Sequence, residues 1–282
     1  MEYILPNKEL LEKHSEELEN KKHYNLSKLI FKKYENDLLT VPLGIDSEKN
    51  KYYMDLKEIS GILISGETGS GKSVFLNSII ISLLFKNKPT DIEFMFIDPR
   101  GVEFNSYAGL PHLKTNILVD KEDSLNGIKS IGALLEERRE IFANANYRNI
   151  LEFNKMNNNL SQIFVIIDEA STLLELEESK EVIKLILREG YKFGIHIILS
   201  TSSFLENIFD EEIIEASTYR LSFDLASAEQ ADFIKIDGAN LLTIEGDALI
   251  KCRNGVVHEI QTPYVSDNDI KAVTDFIKSQ NK

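Results

Sequence analysis

The segment GETGSGKS, residues 66–73, constrains the fold of this chain more than any other stretch. It matches the pattern GxxxxGK[ST], which arises by chance in a chain this long on the order of one time in a hundred. Its setting gives the pattern physical meaning. An apolar run, ILIS at 62–65, precedes it and a helix-patterned run follows, so the loop joins a buried strand to a helix N-terminus. Gly66, Gly69 and Gly71 let the backbone turn through conformations closed to other residues. Residues Gly66, Glu67, Thr68, Gly69, Ser70, Gly71, Lys72 and Ser73 can then present their amides as an anion-binding nest. The helix starting near Lys72 adds unpaired amides and the positive end of its dipole. Lys72 is expected to reach the β- and γ-phosphates of ATP, in a catalytic role, and the Ser73 hydroxyl to ligate Mg²⁺.

From residue 59 onward, short β-rich apolar runs alternate with longer helical patterns, the signature of βαβ units and a mostly parallel sheet flanked by helices. The expected strands are 62–65, 92–97, 163–167, 195–199, 219–223, 248–252 and 256–260. After the phosphate loop, Phe75, Ile79 and Leu83 form one row and Leu76, Ile80 and Leu84 the next, a wide face for packing on a sheet. The Asn-rich stretch 154–161 reads as an exposed loop. The last helix opens at SDND, where Ser266 can cap and Asp269 can reach back to the first free amides. No internal repeat is visible.

The run IFVIIDEA supplies a second half to the site. Five apolar residues ending in Asp168 and Glu169 describe a central strand that delivers two carboxylates at its C-terminal edge, where open α/β sheets bind ligands. Asp168 is expected to hold Mg²⁺ through water, and Glu169 to orient and polarise the attacking water as base. A third acid, Asp98 in IDPRG, ends another strand; it can cap the turn beside Pro99 or act near the nucleotide.

The charge balance limits the partners. Lys plus Arg total 32 against 46 Asp plus Glu, a formal net charge of −14, which opposes indiscriminate coating of nucleic acid. Any DNA contact must be local. The single Cys252 cannot form an intrachain disulfide and no signal-peptide pattern opens the chain, so a cytoplasmic setting is expected. The longest apolar run, around 79–85, falls far short of the ~20 residues that a membrane span needs. Residues 1–40 read as a short N-terminal helical arm or linker, KELLEKHSEELENKKH and LSKLIFKKYEND, with an apolar stripe through Leu26, Leu29 and Phe31.

Seven segments in order resemble the FtsK/SpoIIIE family of DNA translocases: GETGSGKSVFLNSIIISLL, IDPRGVEFNSYAGLPHL, ERREIFANANYRNILEFN, VIIDEA, FGIHIIL, GANLLTIEGDALI and VSDNDIKAVTDFIK. The resemblance covers roughly residues 41–280. It implies a RecA-like P-loop NTPase motor domain over 41–282, assembled with copies of itself as a ring, usually a hexamer. ATP then lies at subunit interfaces and double-stranded DNA in the pore. LPNKELL resembles the linker that leads into the motor in longer members. Their membrane segments, the subdomain ahead of the motor and the winged C-terminal domain have no counterpart in these residues.

The departures bear on mechanism. Where the family reads LATQRP, this chain reads LSTSSF, so Thr201 is kept as the sensor candidate while Ser202 and Ser203 replace Gln and Arg. The family's trans-acting arginine lines up with Tyr191; Arg188 and Lys192 are the nearby candidates. Such an arginine can be worth about three to five orders of magnitude in rate. The segment that supplies a pore loop in the family carries Asp210, Glu211 and Glu212, either facing phosphate or lying on a solvated helix face. Arg220 matches a family arginine, whereas Ala228 and Asp232 stand where basic residues are usual. Three functions follow: ATP-driven translocation of double-stranded DNA, a type VII-like protein-secretion ATPase that moves or gates protein with membrane or secretion proteins as partners, and a nucleotide-binding scaffold with weak hydrolysis.

Overall fold

The computed structural model describes residues 3–12, 24–30, 37–156, 159–202 and 208–280. The strands are β1 Tyr24–Asn25, β2 Thr40–Ile45, β3 Lys51–Asp55, β4 Gly61–Ser65, β5 Ile92–Ile97, β6 Gln162–Ile167, β7 Ile195–Thr201, β8 Tyr219–Ser222, β9 Asp247–Lys251, β10 Val257–Gln261 and β11 Pro263–Tyr264. The helices are α1 Glu9–Glu12, α2 Ser27–Ile30, α3 Lys72–Leu84, α4 Lys121–Asn144, α5 Ile150–Lys155, α6 Ser171–Leu174, α7 Glu177–Glu189, α8 Glu211–Ala216, α9 Ala228–Phe233 and α10 Asp267–Ser279. All seven strands expected from the apolar runs are present.

Among the described residues, nine strands form one sheet in the order β3-β2-β10-β9-β8-β4-β7-β6-β5. The strands β8, β4, β7, β6 and β5 pair in parallel, and four more continue the sheet antiparallel. Every residue of β4, β6 and β7 is buried, as strands covered on both faces must be, whereas β9 alternates between buried and half-buried positions. Successive side chains point to opposite faces. Ile62 and Ile64 join one core with Phe75, Ile79 and Ile277, while Leu63 joins the other with Ile131, Leu135 and Ile186.

Two elements were hidden by their composition. The β2–β3 hairpin includes Pro42 and Gly44, both unfavourable in strands, and its register shifts between them. Gly44, at φ +152, runs so close to β10 that an added Cβ would lie 2.2 Å from the Gln261 carbonyl oxygen. In the arm, the described residues of α1 and α2 are Glu9–Glu12 and Ser27–Ile30, β1 pairs with β11, and Leu11, Leu26 and Leu29 are buried. Described parts of the arm therefore pack into the main core. Phe31 lies outside the described residues. The cap of α10 forms as expected, with Ser266 and Asp269 making a reciprocal capping box. Among the described residues no helix is long and apolar enough to cross a membrane.

Candidate nucleotide-binding site

Parallel pairing brings the two halves of the site to one sheet edge. β7 lies between β4, which leads into the phosphate loop, and β6, which ends at the acids; β5 completes the edge beside β6. Residues 66–71 turn from β4 into α3, with Gly66, Gly69 and Gly71 at φ +147, +85 and +117. A Cβ at Gly66 would lie 2.7 Å from both the Phe223 Cβ and the Ser70 Oγ, so glycine is required there on space as well as on conformation. The loop is braced from outside. The Glu67 amide donates to the Asp224 carbonyl at 2.8 Å and the Gly246 amide to the Ser70 carbonyl at 3.1 Å. The segment IEGD, matched in sequence without a role, thus supports the cradle.

Lys72 is 6% exposed, and its ammonium donates to the carbonyls of Gly66 at 2.6 Å and Glu67 at 2.8 Å. Burial lowers its pKa, and the charges of Glu169 and Asp168 oppose that shift. Thr68, Lys72, Ser73, Arg100, Glu103 and Glu245 are among the walls of a cavity of about 270 Å³ beside the loop.

Asp168 and Glu169 follow β6 and are buried, and Glu169 holds the left-handed conformation at φ +49. That conformation is costly for a residue with a side chain and marks a site where the surroundings enforce geometry. Burial raises the Asp168 pKa; the adjacent Arg100 guanidinium opposes the shift and the Glu169 charge adds to it. The Glu169 carboxylate also accepts from the Ser202 amide at 3.3 Å. Ser202 therefore contacts the acid through its backbone. Thr201 ends β7 in register beside Ser65, the last residue before the loop. Ser203 lies outside the described residues.

Asp98 takes the capping alternative. It is fully buried; one oxygen accepts from the amides of Arg100 at 3.2 Å and Gly101 at 3.0 Å, the other from the amide of Glu103 at 2.8 Å. This turn sets two residues that sequence reasoning missed. Arg100 Nη2 donates to Asp168 at 3.2 Å and to Glu169 at 2.7 Å. Burial raises the Glu103 pKa, against a hydrogen bond from Ser73. The signal was an arginine and a glutamate just after a strand-ending aspartate.

Arg188 and Lys192 stand away from this edge. Arg188 lies in the last turn of α7 and Lys192 in the turn that leads into β7. The Tyr191 amide donates to Ser60, which precedes β4, at 3.1 Å. The length of β4, roughly 17 Å, separates this turn from the phosphate loop. The turn thus lies at the opposite end of β4 from the chain's own phosphate loop. The acids of the expected pore segment are paired within the chain. Asp210 caps α8 and bonds Lys180 at 3.2 Å and Lys184 at 2.8 Å, Glu212 bonds Lys184 and Arg188, and Glu211 bonds Lys235. Glu211 and Glu212 lie exposed in the first turn of α8.

The donor set fits a triphosphate with Mg²⁺. Glycines leave an open cradle at Gly69, Ser70 Oγ is buried without a partner, and Ser73 and Asp168 offer the hard oxygens that Mg²⁺ takes. Among the described residues no group of three or more His, Cys, Asp or Glu could hold a metal. Mg²⁺ bound through one or two protein oxygens plus phosphates needs no such cage.

Residues 31–215 match the FtsK/SpoIIIE family. The chain is 33% identical over 258 residues to the DNA translocase FtsK of Lactiplantibacillus plantarum, covering 86% of this chain and 32% of that protein. It is 32% identical over 252 residues to the DNA translocase SftA of Bacillus subtilis, covering 86% of this chain and 26% of that protein. It thus spans about a third or less of the length of these relatives. The pCW3 conjugation coupling protein TcpA, solved in its monomer form with ATPγS, superposes with a TM-score of 0.78 at 21% identity, over 90% of this chain and 73% of that one. The cytoplasmic domain of the Thermomonospora curvata type VII secretion ATPase EccC gives a TM-score of 0.76 at 21% identity, over 99% of this chain and 34% of that one.

Proposed function

Because the chain belongs to the FtsK/SpoIIIE family, we propose that it is an ATP-driven motor that translocates double-stranded DNA. One observation carries the ATPase part of this reading: Lys72 feels the charges of Glu169 and Asp168 at one sheet edge, where β4 and β6 end on either side of β7. In this reading Lys72 holds the β- and γ-phosphates, the amides of residues 66–73 cradle them, and Ser73 and Asp168 hold Mg²⁺. Mg²⁺ supplies charge neutralisation of the phosphate oxygens. Glu169 orients the attacking water, and Thr201 senses the terminal phosphate. Arg188 and Lys192 act on a neighbouring copy's nucleotide in a ring, for which a hexamer is our expectation. Residues 41–282 form the motor and 1–40 its arm.

DNA as the cargo is supported by identity above 30% to two proteins named as DNA translocases. A protein cargo is favoured by the net charge of −14 and by Asp210, Glu211 and Glu212, but these acids are ion-paired to Lys180, Lys184, Arg188 and Lys235, which weakens their repulsion of phosphate. The likeness to a secretion ATPase, at 21% identity, speaks for the fold alone. The test is ATP hydrolysis with and without double-stranded DNA at two salt concentrations. DNA stimulation that fades with salt and is lost in Lys72→Ala and Glu169→Gln supports the reading. Oligomeric protein that hydrolyses ATP without any DNA response sinks the DNA cargo.

A further inference from the structure

The Arg100 guanidinium bridges both acids of the site through a single nitrogen, Nη2, at 3.2 Å from Asp168 and 2.7 Å from Glu169. The acid side chains are 3% and 11% exposed, whereas that of Arg100 is 47% exposed. The cation therefore sits on the open side of a nearly buried acid pair, at the cavity it shares with Ser73 and Glu103. Its backbone lacks that freedom, because Asp98 accepts from the amides of Arg100 and Gly101. Any excursion of the guanidinium is a side-chain movement.

Two adjacent buried carboxylates are costly unless a cation accompanies them. Arginine usually locks a carboxylate with two parallel bonds, one from each nitrogen of its fork. Here one nitrogen lies between two carboxylates, as a point counter-ion would. Resting on the reading of Ser73 and Asp168 as the Mg²⁺ site, we propose that Arg100 is a resident stand-in for the divalent cation. While no divalent cation is bound, its guanidinium neutralises Asp168 and Glu169 and keeps their geometry. When a divalent cation takes that place, the guanidinium swings into the adjoining cavity, where phosphate oxygens require positive charge. Arg100 is thus a positioning residue for the acids and a second cation, after Lys72, for the triphosphate.

The test is thermal unfolding of the full chain without nucleotide, in EDTA and in millimolar MgCl₂ at matched ionic strength. Wild type is expected to melt at the same temperature in both. Arg100→Ala is expected to melt roughly 5 °C lower in EDTA and to regain most of that in Mg²⁺. Arg100→Lys, which keeps the charge but bridges less well, falls between them. Equal Mg²⁺ shifts in wild type and Arg100→Ala, or no shift in Arg100→Ala, overturn the proposal. The double variant Arg100→Ala, Glu169→Gln removes one acid with the cation and guards against simple loss of the fold. It is expected to melt near wild type in EDTA and to respond weakly to Mg²⁺; melting as low as Arg100→Ala counts against the proposal. Binding of a fluorescent ATP analogue in Mg²⁺ reports separately on the underlying reading. No analogue binding, with the Mg²⁺ rescue intact, refutes the nucleotide role and leaves the cation device standing.

Discussion

The guanidinium of Arg188, in the last turn of α7, lies 2.6 Å from the carboxylate of Glu212 on α8. The cation proposed to act on a neighbouring copy's nucleotide is thus tied to the acidic helix of its own chain. Both side chains are about half exposed, so the pair is worth no more than about 1 kcal/mol. Glu212→Gln is expected to leave chemical denaturation nearly unchanged. Arg188→Ala is expected to leave binding of a fluorescent ATP analogue to dilute protein unchanged, and to lower turnover per chain at concentrations where copies assemble. Equal turnover at all concentrations would remove Arg188 from the trans role.

Lys72→Ala removes a buried cation whose partners are the Gly66 and Glu67 carbonyls. Loss of charge-assisted bonds to phosphate of about 3 kcal/mol corresponds to an affinity loss of roughly 100-fold. Titration with a fluorescent ATP analogue in Mg²⁺ measures it, and circular dichroism confirms that the sheet remains.

The glycines of the loop are expected to differ. Gly66→Ala meets both strain and collision, with Phe223 and Ser70 each 2.7 Å from the new Cβ. Its expected cost is about 2–4 kcal/mol. Gly69→Ala, with nothing within 4 Å, carries the cost of φ +85 alone, about 1–2 kcal/mol. Urea denaturation of the two variants side by side checks the order.

Stability is expected to fall in mild acid. Burial lowers the pKa of His112 and of His196 from 6.5 to about 4. A histidine whose folded pKa is depressed binds fewer protons folded than unfolded between those values. Its contribution is full above pH 6.5 and is lost as pH falls toward 4. A fall from 6.5 to about 4 corresponds to a contribution on the order of 3 kcal/mol for each ring. Denaturant melts at pH 7 and pH 5 test this, and His112→Asn should flatten the slope.

Legibility in the sequence followed the range of each interaction. The phosphate loop, β4 before it and α3 after it were readable because glycine conformations, burial and helix period act over neighbouring residues. The same holds for the capping box of α10. The β2–β3 hairpin was hidden, because Pro42 and Gly44 obey a long-range contact with β10 and not their own propensities. Arg100 was passed over for a related reason. Its role depends on acids 68 and 69 positions away, which approach it only because β5 and β6 pair.

The glycine conformations of the cradle were thus legible in the sequence itself, since residues 66–73 are chain neighbours, whereas its bracing by Asp224 and Gly246 was not. The ranks of Asp98, Arg100 and the acids of α8 were decided only by the tertiary structure. Asp98 reads equally as cap or ligand until its oxygens are seen to accept from the amides of Arg100, Gly101 and Glu103. Asp210 and Glu212 read either as facing phosphate or as lying on a solvated helix face, and only the fold sets the Lys184 and Arg188 side chains against them. Charge acts through space, and the sequence records only order along the chain.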